Sequence, residues 1–250
     1  MSARNNPFSA RQSPLLCYVT DRHSLPVANS ANSIEALTQK IAEVAAAGID
    51  WVQIREKDLP ARELASLTRQ ALAIGKKTSA KRSSSTRVLV NDRLDVALAE
   101  RAHGVHLGES SLLVAEAKRL IVPTVHKQAV DETLLVGVST HSIEAAQAAE
   151  QDGADYLFFG PIFPTPSKQQ FGPPQGTRSL QQVCGTVSIP VLAIGGITLD
   201  NAASCIHAGA AGIAAIRLFQ DAPDPVVTVR RLHQLPTDSR PQSLGDPPAS

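Results

Sequence analysis

The stretch Val52-Gln53-Ile54-Arg55-Glu56-Lys57 has the pattern of a β-strand that ends in charged residues. Side chains alternate between the two faces of a strand, so Gln53, Arg55 and Lys57 would share one face and the aliphatic residues the other. An amide and two cations in a row suit a phosphate or diphosphate ester, because guanidinium and ammonium groups bind its oxygens. The alternative is an edge strand on which these side chains are simply solvated. A helical pattern follows, so the stretch opens a strand–helix unit.

The same unit recurs along the chain. Short β-branched runs alternate with alanine-rich helical patterns, giving eight pairs. This alternation predicts an α/β fold with a parallel sheet, and eight units predict a closed (β/α)8 TIM barrel; an open doubly wound sheet is the alternative. The predicted strands are Leu15–Thr20, Trp51–Ile54, Arg87–Val90, Gly104–His106, Leu134–Ser139, Tyr156–Phe159, Pro190–Ile194 and Gly212–Ile216. The predicted helices are Ile34–Ala47, Ala61–Ile74, Arg93–Glu100, Ser111–Leu120, Ser142–Gln151, Thr177–Cys184, Leu199–Ala208 and Pro223–Leu235.

Composition narrows the classes of function. The 250 residues include 24 Lys and Arg against 23 Asp and Glu, a net charge of +1, so no global basic field points to a nucleic acid. No apolar run has membrane-spanning length, and the N-terminal residues lack the apolar centre of a signal peptide. The cysteines Cys17, Cys184 and Cys205 are widely spaced, which is typical of reduced thiols and predicts a cytoplasmic protein.

The chain is predicted to form one barrel domain. The barrel would span residues 14–235, and residues 1–13 and 236–250, rich in Pro, Ser and polar side chains, would be disordered tails. Residues 76–87 are predicted to form a polar, basic loop. The expected partners are small phosphate and diphosphate substrates, with no nucleic acid and no membrane; a homo-oligomer is left open.

Active sites of TIM barrels lie where the strands end, and Val90-Asn91-Asp92-Arg93 stands at such an end. One interpretation is a helix cap, in which Asn or Asp accepts hydrogen bonds from free N–H groups. The other is that Asn91 binds a ligand while Asp92 holds a metal. Oxygen ligands beside a diphosphate suit Mg²⁺, which keeps several waters and needs few carboxylates.

A long loop follows the sixth predicted strand, beginning Gly160-Pro161-Ile162-Phe163-Pro164-Thr165-Pro166-Ser167-Lys168. The two hydroxyls of Thr165 and Ser167 and the ammonium of Lys168 could bind a phosphate and cover it. Loops of this length in compact domains are usually functional, although a structural role is the alternative.

Two further strand ends carry candidate residues. Gly195-Gly196 follows the seventh strand, where barrels commonly bind phosphate through backbone N–H groups. His141 follows the fifth strand and would serve either as a general acid/base or in capping the next helix. The histidines His103, His106 and His141 lack metal-ligand spacing, so zinc is not expected.

Together these motifs resemble the thiamine-phosphate synthase family and its close relative, the thiazole tautomerase. The resemblance spans about residues 15–220 and is specific for the superfamily rather than for either member. The matching segments are Tyr18–Asp21, Val52–Lys57, Val90–Asp95, Gly104–Gly108, Gly137–Ser142, Asp155–Lys168, Ala193–Ile197 and Ala208–Ile216.

The resemblance implies a transferase that joins an aminopyrimidine methyl diphosphate to a thiazole ethyl phosphate, giving thiamine phosphate and diphosphate. Asp92 would bind Mg²⁺, and Arg55, Lys57, Lys168 and His141 are the implied catalytic residues. The implied substrate-binding residues are Gln53, Ile54, Arg55, Glu56, Lys57, Asn91, Ser139, Thr165, Pro166, Ser167, Lys168, Gly196, Ile216 and Arg217.

Two positions depart from the synthase pattern. Ser111 occupies the place of a second metal-binding Asp, so either Ser111 or the nearby Glu109 would complete the metal site. Arg217 stands where a small hydroxyl residue is usual, and it would either grip the thiazole phosphate or fill the pocket. The alternatives to the synthase are the tautomerase, an isomerase for which His141 would carry the proton, and a non-catalytic binder of thiamine precursors.

Overall fold

The structure is a computed structural model, and it describes residues 12–26, 33–79, 85–125, 134–165 and 173–237. Nearly all of both predicted tails lies outside these residues, as do the predicted site residues Pro166, Ser167 and Lys168.

Eight parallel strands close into a barrel in the order of the sequence, which confirms the predicted TIM barrel and excludes the open sheet. The strands are β1 Leu15–Val19, β2 Trp51–Ile54, β3 Arg87–Asn91, β4 Gly104–Leu107, β5 Leu135–Thr140, β6 Tyr156–Phe159, β7 Val191–Ile194 and β8 Gly212–Ala215. The helices are α1 Ser33–Ala47, α2 Ala61–Ser79, α3 Leu94–Ala99, α4 Val114–Val125, α5 Ile143–Gln151, α6 Gly176–Thr186, α7 Ala202–His207, α8 Arg217–Gln220 and α9 Pro225–His233.

Strand alternation divides the buried side chains into two layers. Val52 and Ile54 of β2 face outward and join the large apolar layer between the strands and the helices. Trp51 faces inward, where its ring lies 4.8 Å from that of Tyr156 between centroids. Apolar side chains therefore fill the lower part of the barrel, and a ligand has room only near the carboxyl ends of the strands.

The barrel closes where β1 pairs with β8 in parallel register, with Leu15 opposite Gly212. A Cβ on Gly212 would lie 2.0 Å from the carbonyl oxygen of Leu15, so this contact requires glycine. Above it, the Tyr18 hydroxyl donates to Oε1 of Gln220 at 2.7 Å. The Gln220 amide in turn donates to the Asp21 carbonyl oxygen at 3.0 Å, so the end of α8 is hydrogen-bonded to the loop after β1.

Several element boundaries differ from the predictions. α2 extends to Ser79, so residues 76–79 of the predicted basic loop are helical, and Lys76 and Lys77 suit the negative end of the helix dipole. α4 begins at Val114 rather than Ser111, which leaves Ser111 in a loop. None of the helices in the described part of the chain is long and apolar enough to span a bilayer.

Candidate active site

Polar side chains replace apolar ones at the upper inward positions of four neighbouring strands. On β3 and β4 these side chains are Asn91 and His106, which stand opposite each other in the register. Gln53 on β2 and Ser139 on β5 continue the row on either side, through hydrogen bonds of 2.9 Å to Asn91 and to His106. Since each lies two residues beyond an inward residue of its strand, the row follows from the strand period.

Gln53 and Asn91 form a hydrogen-bonded chain that leads to Asp92. The Gln53 amide donates to Oδ1 of Asn91 at 2.9 Å, and the Asn91 amide donates to Oδ2 of Asp92 at 3.0 Å. Oε1 of Gln53 is buried and finds no donor among the described residues. A buried carbonyl oxygen without a donor is unfavourable, so this atom is suited to accept a hydrogen bond from a ligand.

Asp92 and Ser111 come together although they lie on different loops. The Ser111 hydroxyl donates to Oδ1 of Asp92. The N–H of Gly108 donates to both, at 3.1 Å to Asp92 and 2.8 Å to Ser111. Glu109, the alternative metal ligand, has its carboxylate 4.0 Å from Nε2 of His141.

A carboxylate and a hydroxyl oxygen are hard ligands of the kind that Mg²⁺ prefers. Within the described ranges, no three His, Cys, Asp or Glu side chains gather into a metal-binding group. The carboxylate of Asp92 and the hydroxyl of Ser111 are two adjacent oxygens, and Mg²⁺ commonly takes its remaining ligands from water and a diphosphate.

Arg55 and Lys57 lie just beyond the strand, because β2 ends at Ile54. Arg55 is half-buried and Lys57 is exposed. The positive charge of Arg55 is one cause of the lowered pKa of His106, after burial of the imidazole. Neither cation forms an ion pair with any residue that the structure describes, so both remain available to an anion.

The other two residues of that stretch face elsewhere. The Ile54 side chain is buried in the outer apolar layer, so a ligand would reach only its main chain. The Glu56 carboxylate is also buried and accepts hydrogen bonds from Thr20 and Arg22. The prediction that Ile54 and Glu56 bind substrate stays a prediction, and it would not rest on these side chains.

His106 lies at the centre of the row and is a functional candidate that the sequence reasoning did not assign. Its Nε2 lies 2.9 Å from the Ser139 hydroxyl, and its Nδ1 lies 3.2 Å from the Tyr156 hydroxyl. Burial lowers the pKa of His106 to about 3; the Asp92 carboxylate raises it and the Arg55 charge lowers it. The imidazole is therefore neutral near pH 7 and orients Ser139 through a hydrogen bond.

Protein stability should fall between pH 7.5 and pH 5 because of this buried imidazole. The unfolded chain takes up a proton near pH 6.5, while folded His106 stays neutral down to its pKa of about 3. The free energy of unfolding should thus decrease by about 2 kcal/mol at pH 5 from this group alone. Urea unfolding of the wild type and of His106→Gln at both pH values measures it.

His106→Gln should lose the decrease in the free energy of unfolding that His106 causes between pH 7.5 and pH 5. His207→Gln removes an exposed histidine and serves as the control. Its free energy of unfolding should depend on pH in the same way as that of the wild type. An unchanged pH slope in His106→Gln would show that His106 is not held neutral by folding.

His141 connects the loops that follow three strands. Its Nδ1 contacts the carbonyl oxygen of Gly160, so Nδ1 carries the proton and Nε2 faces Glu109. The adjacent Ser142, not His141, caps α5 by accepting a hydrogen bond from Ala145 N–H at 3.1 Å. An acid/base role for His141 stays a prediction.

The paired glycines after β7 form a tight turn against the loop after β6. Gly195 and Gly196 have φ of 96° and 67°, in the region that favours glycine. A Cβ on Gly196 would lie 2.6 Å from the Pro164 carbonyl oxygen and 2.7 Å from that of Phe163. The turn therefore packs closely against the main chain of the segment that leads into Thr165.

Gly196→Ala should destabilise the protein more than Gly153→Ala. Both residues have positive φ, which costs an alanine roughly 1–2 kcal/mol. Gly153 has nothing within 4 Å of its Cβ position, whereas Gly196 faces two carbonyl oxygens and should lose a further 1–3 kcal/mol or so from crowding. Thermal or urea unfolding of the two variants gives the comparison, and equal losses would contradict the close contact.

The end of β8 completes the same side of the mouth. Ile194, the last residue of β7, pairs with Ala214 on β8, so the Gly195–Gly196 turn and Ile216 both follow the ends of neighbouring strands. Ile216 is half-buried, and Arg217 is exposed at the start of α8, which the sequence did not predict. Thr165 is half-buried.

Residues 17–219 match the model of a protein family described as thiamine monophosphate synthase. The chain belongs to the thiamine monophosphate synthase family. This match confirms the resemblance of the motifs, and it begins within β1 and ends within α8.

Individual members of the thiamine monophosphate synthase family are similar over most of their length. A thiamine-phosphate synthase from a Roseiflexus species is 40% identical over 198 residues, covering 79% of this chain and 78% of that protein. A thiamine-phosphate synthase from Moorella thermoacetica is 42% identical over 195 residues, covering 78% of this chain and 86% of that protein.

A solved structure of the same family agrees in fold. The thiamine phosphate pyrophosphorylase from Pyrococcus furiosus superposes with a TM-score of 0.73 at 30% sequence identity. The superposition covers 90% of this chain and 96% of that one.

Proposed function

We propose that this chain is a thiamine-phosphate synthase. It would join an aminopyrimidine methyl diphosphate to the ring nitrogen of a thiazole ethyl phosphate and release diphosphate. The observation that carries the proposal is the hydrogen-bonded chain from Gln53 through Asn91 to Asp92 and Ser111 at the carboxyl ends of the strands, with Arg55 directly after β2. Membership of the synthase family supports it.

The diphosphate would lie at the β2, β3 and β4 side of this mouth. Arg55 and Lys57 supply positive charge without competing acid partners among the described residues. Preorganised cations that meet the charge developing on a leaving group lower the barrier to its departure. Lys168, which lies outside the described residues, is proposed to add a further cation.

Asp92 and Ser111 are proposed to hold Mg²⁺, which would neutralise charge on the diphosphate when bound. Asn91 would keep the Asp92 carboxylate oriented through its amide, 3.0 Å from Oδ2. The Gly108 N–H would hold both oxygens in place.

The pyrimidine would rest on the polar row inside the barrel. Oε1 of Gln53 needs a donor, and Ser139, oriented by His106, offers a hydroxyl nearby. Departure of the diphosphate leaves a cationic methylene, and the lone pair of the thiazole nitrogen then forms the new bond. This reaction needs no nucleophilic side chain, so positioning and exclusion of water are the main tasks of the protein.

The thiazole phosphate would lie at the opposite side of the mouth. Gly196 and Ile216 each lie two residues beyond the paired residues Ile194 and Ala214, at the ends of the neighbouring strands β7 and β8. Arg217 is exposed, and its guanidinium forms no ion pair with the described residues, so it could bind the phosphate. Thr165, in the loop after β6, is proposed to contact the thiazole phosphate, as are Pro166 and Ser167, which lie outside the described residues.

An end-point assay tests the proposal. Purified protein is mixed with aminopyrimidine methyl diphosphate, thiazole phosphate and Mg²⁺, with and without a chelator, and thiamine phosphate is measured. Metal-dependent product is the expected result. Folded protein that forms no product would overturn the synthase, and isomerisation of a thiazole carboxylate phosphate would then identify the tautomerase, with His141 as the proton carrier.

The remaining expectations concern the setting of the enzyme. Small phosphorylated substrates are the proposed partners, in keeping with the family. A cytoplasmic location is proposed from the cysteines, all of which are free thiols. A homo-oligomer stays a prediction.

A further inference from the structure

The turn that carries Arg55 and Lys57 is anchored from behind by a buried carboxylate. Glu56 stands between the two cations, and its side chain is only 1% exposed. Glu56 is the residue between them in the chain, so fixing its side chain restricts the backbone from which Arg55 and Lys57 both extend. The orientation of Glu56 therefore bears on the orientation of both cations.

Thr20 makes the first of the anchoring contacts. Its hydroxyl donates to Oε1 of Glu56 at 2.6 Å and accepts from the N–H of Arg55 at 2.9 Å. Thr20 itself is fixed at the end of β1, because its N–H donates to the Gln53 carbonyl oxygen at 2.9 Å. One hydroxyl thus binds the main chain of Arg55 and the side chain of the next residue.

Arg22 makes the second set of contacts. Its N–H lies 3.2 Å from both carboxylate oxygens of Glu56, and its Nη1 lies 3.0 Å from Oε2. The same guanidinium forms a two-pronged ion pair with Asp58, with Nη1 at 2.7 Å from Oδ1 and Nη2 on Oδ2. Arg22 therefore holds the turn at residues 56 and 58, on either side of Lys57.

A buried carboxylate is stable only when hydrogen bonds and a cation compensate the loss of water. Glu56 has both, and removing one partner leaves an uncompensated charge in the turn. These contacts join Thr20, Arg22 and Glu56 to one another and to the turn. Their common effect is on the residues between them.

We propose that Thr20, Arg22 and Glu56 are positioning residues, which fix the turn after β2 so that Arg55 and Lys57 meet the diphosphate. The inference rests on the proposed function, since it needs a diphosphate at Arg55 and Lys57. It assigns Glu56 a role behind the site instead of in contact with the substrate.

The test compares two buried threonines at opposite ends of the barrel. Thr20→Val removes the hydroxyl that binds Arg55 and Glu56, and Thr20→Ser keeps it. Thr86→Val is the matched control, because Thr86 is also buried and donates to the Ile49 carbonyl oxygen at 2.9 Å, before β3 begins. Titration calorimetry measures the affinity for inorganic diphosphate in the presence of Mg²⁺. The other readouts are the KM for the pyrimidine diphosphate, the KM for the thiazole phosphate, and the melting temperature.

Thr20→Val is expected to bind inorganic diphosphate about tenfold or more weakly, since small misplacements of binding groups are costly. Its KM for the pyrimidine diphosphate should rise, while its KM for the thiazole phosphate stays near the wild-type value. Thr20→Ser should have a diphosphate affinity and a KM for the pyrimidine diphosphate close to those of the wild type. Thr86→Val should lower the melting temperature to a similar extent with normal kinetics. Glu56→Gln, which keeps the size of the side chain, should shift diphosphate affinity in the same direction.

Other outcomes would overturn the inference. Normal diphosphate affinity in both Thr20→Val and Glu56→Gln would remove the positioning role and leave the proposed function intact. Equal weakening in Thr20→Val and Thr86→Val would mean general destabilisation. Wild-type protein that does not bind inorganic diphosphate would instead overturn the proposed function, and the inference with it.

Discussion

Replacement of Arg55 with alanine should lower kcat by about two to three orders of magnitude, the usual cost of losing one preorganised charge at a developing anion. Arg55 is half-buried just after β2, its charge contributes to the lowered pKa of His106, and it has no acid partner among the described residues. Its loss therefore breaks no ion pair in the free protein, and the free energy of unfolding should change little. Steady-state kinetics and urea unfolding of the same preparation measure the two effects.

Two further variants give this experiment its controls. Arg55→Lys keeps the charge but not the planar fork of donors, so its kcat should fall between those of the wild type and Arg55→Ala. Arg119→Ala removes an exposed arginine on α4, outside the mouth, and should be close to normal. If Arg55→Ala turned over at the wild-type rate, the diphosphate would have to bind elsewhere.

Asp92→Asn should raise the Mg²⁺ concentration needed for half-maximal activity by at least tenfold or so, and lower kcat at saturating metal. Asp92 has a φ of 61°, a conformation that asparagine adopts readily among non-glycine residues. The substitution therefore removes the charge while keeping the backbone, and an amide oxygen could still accept from Gly108. Calorimetric titration with Mg²⁺ gives a binding readout that does not depend on turnover.

Asp152→Asn is the matched control, because it removes one exposed carboxylate at the end of α5, on the opposite face of the barrel. It should leave the metal requirement unchanged. Identical metal dependence in Asp92→Asn and the wild type would place the metal away from Asp92 and would remove Ser111 as its proposed second ligand.

The fold could be predicted from the sequence because its signals are local. Each strand is a short aliphatic run followed by a helical pattern, and the strand period alone places Gln53 inward and Val52 outward. Chain order then sets strand order in a barrel, so the carboxyl-end residues Asn91 and Ser139 could be assigned to one mouth.

Contacts between distant residues could not be predicted in this way. Glu56 is charged and stands between two cations, so it looked like part of the binding face; only the fold shows Thr20 and Arg22 behind it. His106 was visible at a strand end, but its partner Tyr156 lies 50 residues away. Its inward position in Gly104-Val105-His106-Leu107 was the signal that could have drawn attention to it.

The pairing of β1 with β8 has a consequence for synthesis on the ribosome. Leu15 must wait for Gly212, roughly 200 residues later, before the barrel can close. At typical elongation rates of about 5–20 residues per second, that interval is on the order of 10–40 s. Throughout it the apolar edge of β1 has no partner on one side, and exposed strand edges invite aggregation. A chaperone that covers this edge should therefore raise the yield of soluble protein. Truncation of the chain before β8 should leave no soluble protein, because β1 then never gains its second partner.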